Sequence, residues 1–428
     1  MRRVVITGIG LLTGLGAGAA DNWRRLLAGD TAIGPVTGYD PSSFRTRLAA
    51  EIDGFTPTDY APRRALRTTT RNDQLAIAGA ALAMRDAGLG EGAYDPERSA
   101  AFVGGNKEIS NPEHLLRGSL AARRPDGTAD PALLGERASS AFYPLYYVEG
   151  LQSAALFHLS SAYGFKGANA YFHGTADAGA TAVGRAYRSV LRGESQVALA
   201  GGADDAASWW VMSKMDGLGV LSDRNDLGAG AFRPYDADRS GSVLGEGAAF
   251  LVLEEYQAAR ARGAHLYAEI RGVGATVDTA RLLTPREDGA PLAAAVRRAL
   301  DEARLAPGGV DYLATHGCAT RLGDTSEARA LDSVFGTADR APVASSVKPA
   351  TGHLVAAAGA LNAAVCALAV DGGAVPPTLN LDRPDPGCAA MDWVPGEARD
   401  VPVRAALALA RGLEGQQVAL ALTAPGAP

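Results

Sequence analysis

The chain has 428 residues, 47% hydrophobic and 21% charged, with a formal net charge of -6. That length holds one large core or two domains of about 200 residues each, and the acidic balance excludes a global basic field drawn to nucleic acid or an anionic membrane. Three cysteines, Cys318, Cys366 and Cys388, form no CxxC pair, which excludes a disulfide framework and suits a reducing cytoplasm.

In chain order, Val4 to Gly10 (VVITGIG) reads as a buried strand ending in a glycine turn. Met1-Arg2-Arg3 leads only into that short apolar run, so no signal peptide is expected, and no run of about 20 apolar residues is expected to span a bilayer. Asp73 to Ala87 has helical spacing and stops at Gly88; Ala100 to Val103 reads as a strand. Arg117 to Arg137, rich in Arg, Asp, Pro and Gly, is the expected surface excursion. Ala168 to Phe172 reads as a strand and Ala180 to Leu191 as a helix, with Gly174-Thr175-Ala176-Asp177-Ala178-Gly179 turning between them. Thr423 to Pro428 is expected to be a loose tail.

The early order returns later. Leu82 to Leu89, Tyr94-Asp95 and Ala101 to Gly104 parallel Arg298 to Leu305, Val310-Asp311 and Leu313 to His316, and Val4 to Gly10 parallels Ala268 to Gly274. A repeat at such long range implies two related α/β halves, expected at residues 1–258 and 259–428, rather than a solenoid. Alternating strands and helices predict buried, mostly parallel sheets covered by helices.

Several motifs then stand in a fixed order: the turn at Gly174 to Gly179; Ala200-Gly201-Gly202; Arg233-Pro234-Tyr235-Asp236 with Arg239-Ser240-Gly241 and Gly245-Glu246-Gly247-Ala248; Thr315-His316-Gly317 with Gly323-Asp324; Lys348 to His353; and Val375 to Asn380. Together they resemble the β-ketoacyl-carrier-protein synthases along nearly the whole chain. The resemblance implies a thiolase-like α/β fold of two duplicated halves in a helix-sheet-helix-sheet-helix arrangement. It also implies that Ala176 holds the place of the nucleophilic cysteine. A cysteine there would be activated by the helix N-terminus, whereas an alanine methyl cannot attack a thioester.

A second departure lies at the C-terminal loop. The family's FGFGGTN reads Arg411-Gly412-Leu413-Glu414-Gly415-Gln416-Gln417 here. Leu413 replaces a gating phenylalanine, and Glu414 adds a Cβ where glycine-only geometry is expected, with a negative charge near a developing anion. Arg404 to Gly412 is similar to the corresponding end of chain-length factors, the inactive partner subunits of type II polyketide ketosynthases. That likeness implies a heterodimer with a catalytic ketosynthase subunit, an acyl carrier protein as second partner, and no cofactor beyond the phosphopantetheine arm the carrier supplies. The alternative is a malonyl-carrier-protein decarboxylase, which needs an oxyanion site but no covalent nucleophile. The retained pair His316 and His353 leaves both aromatic and reducing pathways open.

The individual residues carry more than one meaning. His316, His353, Lys348 and Glu327 either keep a live enolate site or persist as a satisfied buried network. Cys318 is a conceivable replacement nucleophile on a different loop, and His173 is expected to pack beside the site. Arg63, Arg64 and Arg67, with Arg71, either grip the acidic carrier protein or form a solvated face. By resemblance, Asn106, Ile109, Pro112 and Leu116 line the acyl tunnel, and the dense aromatics Phe142, Tyr143, Tyr146 and Tyr147, some of which core packing would explain, are expected at the subunit interface beside it.

Overall fold

A computed structural model describes residues 2–427 except 91, 107–111, 143, 339, 389 and 390. The elements that position the site begin with strand β1 (Val4–Thr13), helix α1 (Arg71–Asp86) and strand β2 (Ser99–Gly105). Helices α2 (Pro112–Ala121), α3 (Pro131–Ala141), α4 (Tyr146–Glu149) and α5 (Ala154–Tyr163) come next. Then follow β3 (Asn169–His173), α6 (Asp177–Arg192), β4 (Val197–Asp204), β5 (Gly247–Glu255), β6 (Ala268–Val277) and α7 (Ala290–Ala303). The chain continues through β7 (Tyr312–Ala314), α8 (Arg321–Phe335), β8 (Val343–Ser345), α9 (Lys348–Thr351) and α10 (Ala358–Gly372). It closes with β9 (Asp392–Trp393), β10 (Ala405–Arg411) and β11 (Gln416–Thr423).

The strands join in the order β9-β8-β7-β10-β11-β6-β1-β5-β4-β2-β3. Read outward from the β1–β6 junction, the two arms match. Each runs antiparallel twice (β1-β5-β4 and β6-β11-β10), then parallel twice (β4-β2-β3 and β10-β7-β8). The expectation of mostly parallel sheets is therefore corrected: in each half the antiparallel β5 or β11 lies between the opening strand and the parallel strands.

The arms meet through a short antiparallel pairing, Val4 with Ile270 and Ile6 with Ala268, and face each other across α6 and α10. Helix α1 covers the outer face of one arm and α7 that of the other, giving the expected five layers. Since α10 is enclosed by both arms, it is apolar all round, as a fully buried helix must be. The stretch Val355–Gly372 is long and apolar enough to cross a bilayer, contrary to expectation, but 83% of it is buried within the protein, which makes it a core element.

Close backbone approach explains several glycines. Gly8 and Gly10 lie inside β1 rather than in a turn, because α1 presses on the strand: a Cβ at Gly10 would meet Gly79 O at 2.0 Å. At the α6–α10 crossing, a Cβ on Gly359 would meet Ala176 O at 2.6 Å and Ala180 Cβ at 2.7 Å. The excursion at Arg117 to Arg137 is exposed as expected, yet helical: α2 and α3 form a hairpin tied by an Arg123–Ala129 bridge. The C-terminal end is not loose. The Ala424 N–H donates to Arg404 O (2.8 Å), and Arg271 Nη1 to Ala427 O (3.1 Å).

Candidate active site

The turn at residues 174–176 sits at the head of α6, where β3 ends. Ala176 is the N-cap of that helix, with its methyl buried. Its position is set by contacts only glycines permit, Gly359 on α10 from one side and Gly104 of β2 against the Ala178–Gly179 peptide from the other. Among the described residues the cavity wall here is formed by Thr175, the residue before it.

His316 follows β7 and is clamped through its backbone. Its N–H and that of Gly317 donate to the two oxygens of Glu327 (2.7 and 2.9 Å), and the Tyr235 hydroxyl donates to the same carboxylate (2.9 Å). Lys348, opening α9, donates from Nζ to His316 O, and burial pushes its ammonium down to about 8. His353 accepts at Nδ1 from the Val355 N–H (3.0 Å), which assigns its proton to Nε2. The two rings stand 5.6 Å apart at 78°. Both are held well below the ordinary histidine range, first by burial and then by Lys348, so both are neutral at pH 7. A neutral imidazole with a free N–H can stabilise a developing oxyanion without becoming a cation.

Around this pair lies an open-mouthed cavity, lined among others by Thr175, His316, His353, Arg411 and Leu413, with exposed Arg281 among its lining residues. Cys318 is also on the wall, but burial pushes its thiol up to about 11, and its sulfur pairs with Thr320 Oγ1 (3.1 Å). A thiol that stays protonated at neutral pH is a poor nucleophile.

The C-terminal loop between β10 and β11 corrects one expectation. Glu414 does not occupy left-handed backbone; the strained position is Gly415 (φ 94°), which remains glycine because a Cβ there would meet Asp278 O at 2.3 Å. The Glu414 carboxylate instead acts electrostatically, adding to the burial that raises the Asp177 carboxyl. The Leu413 N–H donates to Thr175 Oγ1 (2.8 Å), so a donor facing the nucleophile turn is already occupied from within.

The remaining candidates lie elsewhere. Asn106 is buried at the end of β2 beside Asp204, while Ile109 and Tyr143 fall outside the described residues. Pro112 opens α2, Leu116 projects from it, and Tyr146 stacks on Phe142 (5.2 Å) and meets His114 (5.4 Å). Tyr147 is in α4. Asn106, Pro112, Leu116 and Tyr146 do not line the histidine cavity. Pro112, Leu116 and Tyr146 belong to the stretch of chain that carries six of the ten exposed large apolar side chains among the described residues, Leu116, Leu120, Leu145, Val148, Leu151 and Phe157. His173 does not pack beside the site; it is exposed at the end of edge strand β3, against Tyr171 (4.8 Å). Arg63, Arg64 and Arg67 are exposed around a single 3-10 turn, whereas Arg71 is withdrawn from the set by a two-pronged bond to Glu246 (2.6 Å each). Sequence reasoning missed the parts played by Thr175 and Arg411. The only signal for Arg411 is a charge ending an otherwise apolar strand.

Residues 1–259 match the β-ketoacyl synthase N-terminal domain and residues 267–382 the C-terminal domain. The chain is 37% identical to the granaticin polyketide putative β-ketoacyl synthase 1 of Streptomyces violaceoruber, covering 99% of both chains. It is 33% identical to 3-oxoacyl-[acyl-carrier-protein] synthase 2 of Coxiella burnetii over 99% of this chain and 98% of that one. Among solved structures it resembles the ishigamide ketosynthase/chain length factor, with a TM-score of 0.86 and 29% identity over 99% of this chain and 100% of the other. A type II polyketide synthase acyl-carrier protein in complex with its ketosynthase, AntDE:AntF, matches with a TM-score of 0.87 and 26% identity over 99% of both chains.

Proposed function

Starting from the family to which this chain belongs, the β-ketoacyl synthases of thiolase-like fold, we propose that it is the non-catalytic, chain-length-determining partner of a type II polyketide ketosynthase. The observation that carries this reading is Ala176 at the head of α6, with nothing at that position able to form an acyl-enzyme. The occupied Leu413 N–H and the protonated Cys318 thiol support it, since neither offers a substitute. The partner would be a cysteine-bearing ketosynthase seated against edge strand β3 and the apolar side chains of α2 to α5, and the cavity between them would bound chain growth by its volume. The acyl carrier protein would supply the phosphopantetheine arm, with Arg63, Arg64 and Arg67 available to its acidic surface. Asn106, Pro112, Leu116 and Tyr146 would then act in shaping the shared tunnel.

One observation favours the second reading, decarboxylation of malonyl-carrier protein: two neutral imidazoles line one cavity, and His353 carries its proton on Nε2. A single sample separates the two. In the complex whose partner has its cysteine and histidines replaced, any carbon dioxide released from malonyl-carrier protein belongs to this chain. The partner-subunit reading expects none. Release that falls by about 10²–10³-fold in His316→Ala, the usual effect of deleting an oxyanion donor, would replace it with the decarboxylase reading.

A further inference from the structure

His353 is held in one tautomer by a turn of backbone that its own residues disfavour. The main chain of His353 is tied on both sides: its N–H donates to Val243 O (2.8 Å), and its carbonyl accepts from the Gly245 N–H (3.1 Å). The ring is fixed by one further contact, the Val355 N–H on Nδ1 (3.0 Å). The chain makes that contact with Val355 at φ 38°, in the left-handed region. A β-branched residue there is an outlier, and such strain persists only where the surroundings enforce it.

The enforcing group comes from a strand 152 positions earlier. The next N–H along, that of Ala356, donates to Oδ2 of Asp204 (3.0 Å), a fully buried carboxyl at the end of β4. Asn106 stands close enough to act on the charge of that carboxyl without closing a bond, since its Nδ2 and Asp204 Oδ1 both lack a hydrogen-bond partner. The Ala356 carbonyl is confined as well: a Cβ on Gly202 would meet it at 2.6 Å and one on Gly179 at 2.8 Å. With Ala356 tethered at its N–H and wedged at its carbonyl, Val355 is kept out of the right-handed region that a valine prefers.

We propose that Asp204 is a positioning residue for His353: by holding Ala356 it keeps the Val355 N–H on Nδ1, and so keeps the ring proton on Nε2. Which nitrogen of a neutral imidazole carries the proton is set by the hydrogen bond the other one makes. Without a donor at Nδ1, both tautomers are open to the ring. The bland alternative is that Asp204 only satisfies a buried N–H, as buried acceptors commonly do. The two differ in what His353 does when Asp204 is replaced. Neither functional reading above is needed for this assignment, because both leave His353 in the cavity wall.

The test is nitrogen-15 magnetic resonance of the full chain, labelled at histidine and measured in its purified assembly. The His353 signals are those absent from His353→Gln. We expect the wild type to hold the Nε2–H form in about tenfold excess, the factor one well-made hydrogen bond supplies. Asp204→Ala should bring the two tautomers to within about threefold of each other, and Asp204→Asn, which keeps an acceptor for Ala356, should hold the wild-type ratio. Leu199→Ala, which opens a cavity in the same strand, should lower the thermal midpoint and leave the ratio alone. Near-equal tautomers in the wild type overturn the proposal, and that result needs no variant to fold. So does a ratio unchanged in Asp204→Ala, one lost in Asp204→Asn, or one lost as fully in Leu199→Ala.

Discussion

At the scale of the residue, the proposed loss of condensation rests on position 176 and on its neighbours. Ala176→Cys would restore a thiol at a helix N-terminus, where its pKa is lowered. The Leu413 N–H would still be bonded to Thr175 Oγ1, and Glu414 would still place a charge beside the loop. The isolated single variant is therefore expected to show no malonyl condensation when acyl transfer from acyl-carrier protein and product formation are assayed; robust turnover would mean that the loop is competent. A different residue contributes to the pH response of the fold. Burial, helped by Asp205, pushes the Asp204 carboxyl up to about 8, while its Oδ2 accepts from the Ala356 N–H (3.0 Å). A carboxyl raised in the folded state contributes stability that is full below its unfolded value near 3.8 and is lost as pH rises through about 8. Asp204→Asn keeps an acceptor for Ala356 and cannot ionise. Relative to wild type, the variant should gain on the order of 1–3 kcal/mol between pH 5 and pH 8, read from urea midpoints at each pH. Parallel pH curves for the two proteins would show that Asp204 does not titrate in this window.

At the scale of the element, the head of α6 is located by glycine contacts rather than by capping. Its N-cap, Ala176, makes no side-chain cap bond, unlike α1, where Thr70 and Asp73 form a reciprocal capping box. Gly359→Ala would drive a methyl into Ala176 O and Ala180 Cβ, so α6 and α10 must separate by several tenths of an ångström. Overpacking of this kind costs about 1–3 kcal/mol. We expect a thermal midpoint lower by several degrees and, in the assembled complex, weaker discrimination between chain lengths; an unchanged midpoint would show that the crossing has slack. Much at this scale was legible in the sequence. Helix α1 carries helical spacing and stops at Gly88, and the later helix α7 repeats its pattern, because amphipathic periodicity is a local property. Strand β1 was misjudged at its end, because nothing local distinguishes a turn glycine from one flattened under a helix 70 residues later.

At the scale of the whole molecule, one stretch of the chain keeps apolar side chains exposed. The helices from Pro112 to Tyr163 present Leu116, Leu120, Leu145, Val148, Leu151 and Phe157 to solvent, next to edge strand β3. Exposed apolar side chains gathered on a lone chain promote association, and an unpaired strand edge adds to the tendency. The protein is expected to aggregate when expressed alone and to co-purify one-to-one with a cysteine-bearing ketosynthase. Phe157→Glu, which alters a side chain 70% exposed, should abolish that co-purification while leaving the circular dichroism spectrum unchanged. A stable wild-type monomer without affinity for the ketosynthase would contradict the assignment.

The sequence alone determined the class of fold, the family motifs and the alanine at the head of a helix, because each is written in contiguous residues: a strand-turn-helix around Ala176, a histidine pair in two short blocks, and a repeat of element order. The tertiary structure decided what those residues do to one another. Only folding brings Thr175 to the Leu413 N–H across 238 positions of sequence, closes Glu327 over the His316 backbone, and buries Arg411 among neutral acceptors. Those are long-range contacts set by the packing of α6 and α10 between two sheet arms, and packing of that kind leaves no periodic trace along the chain.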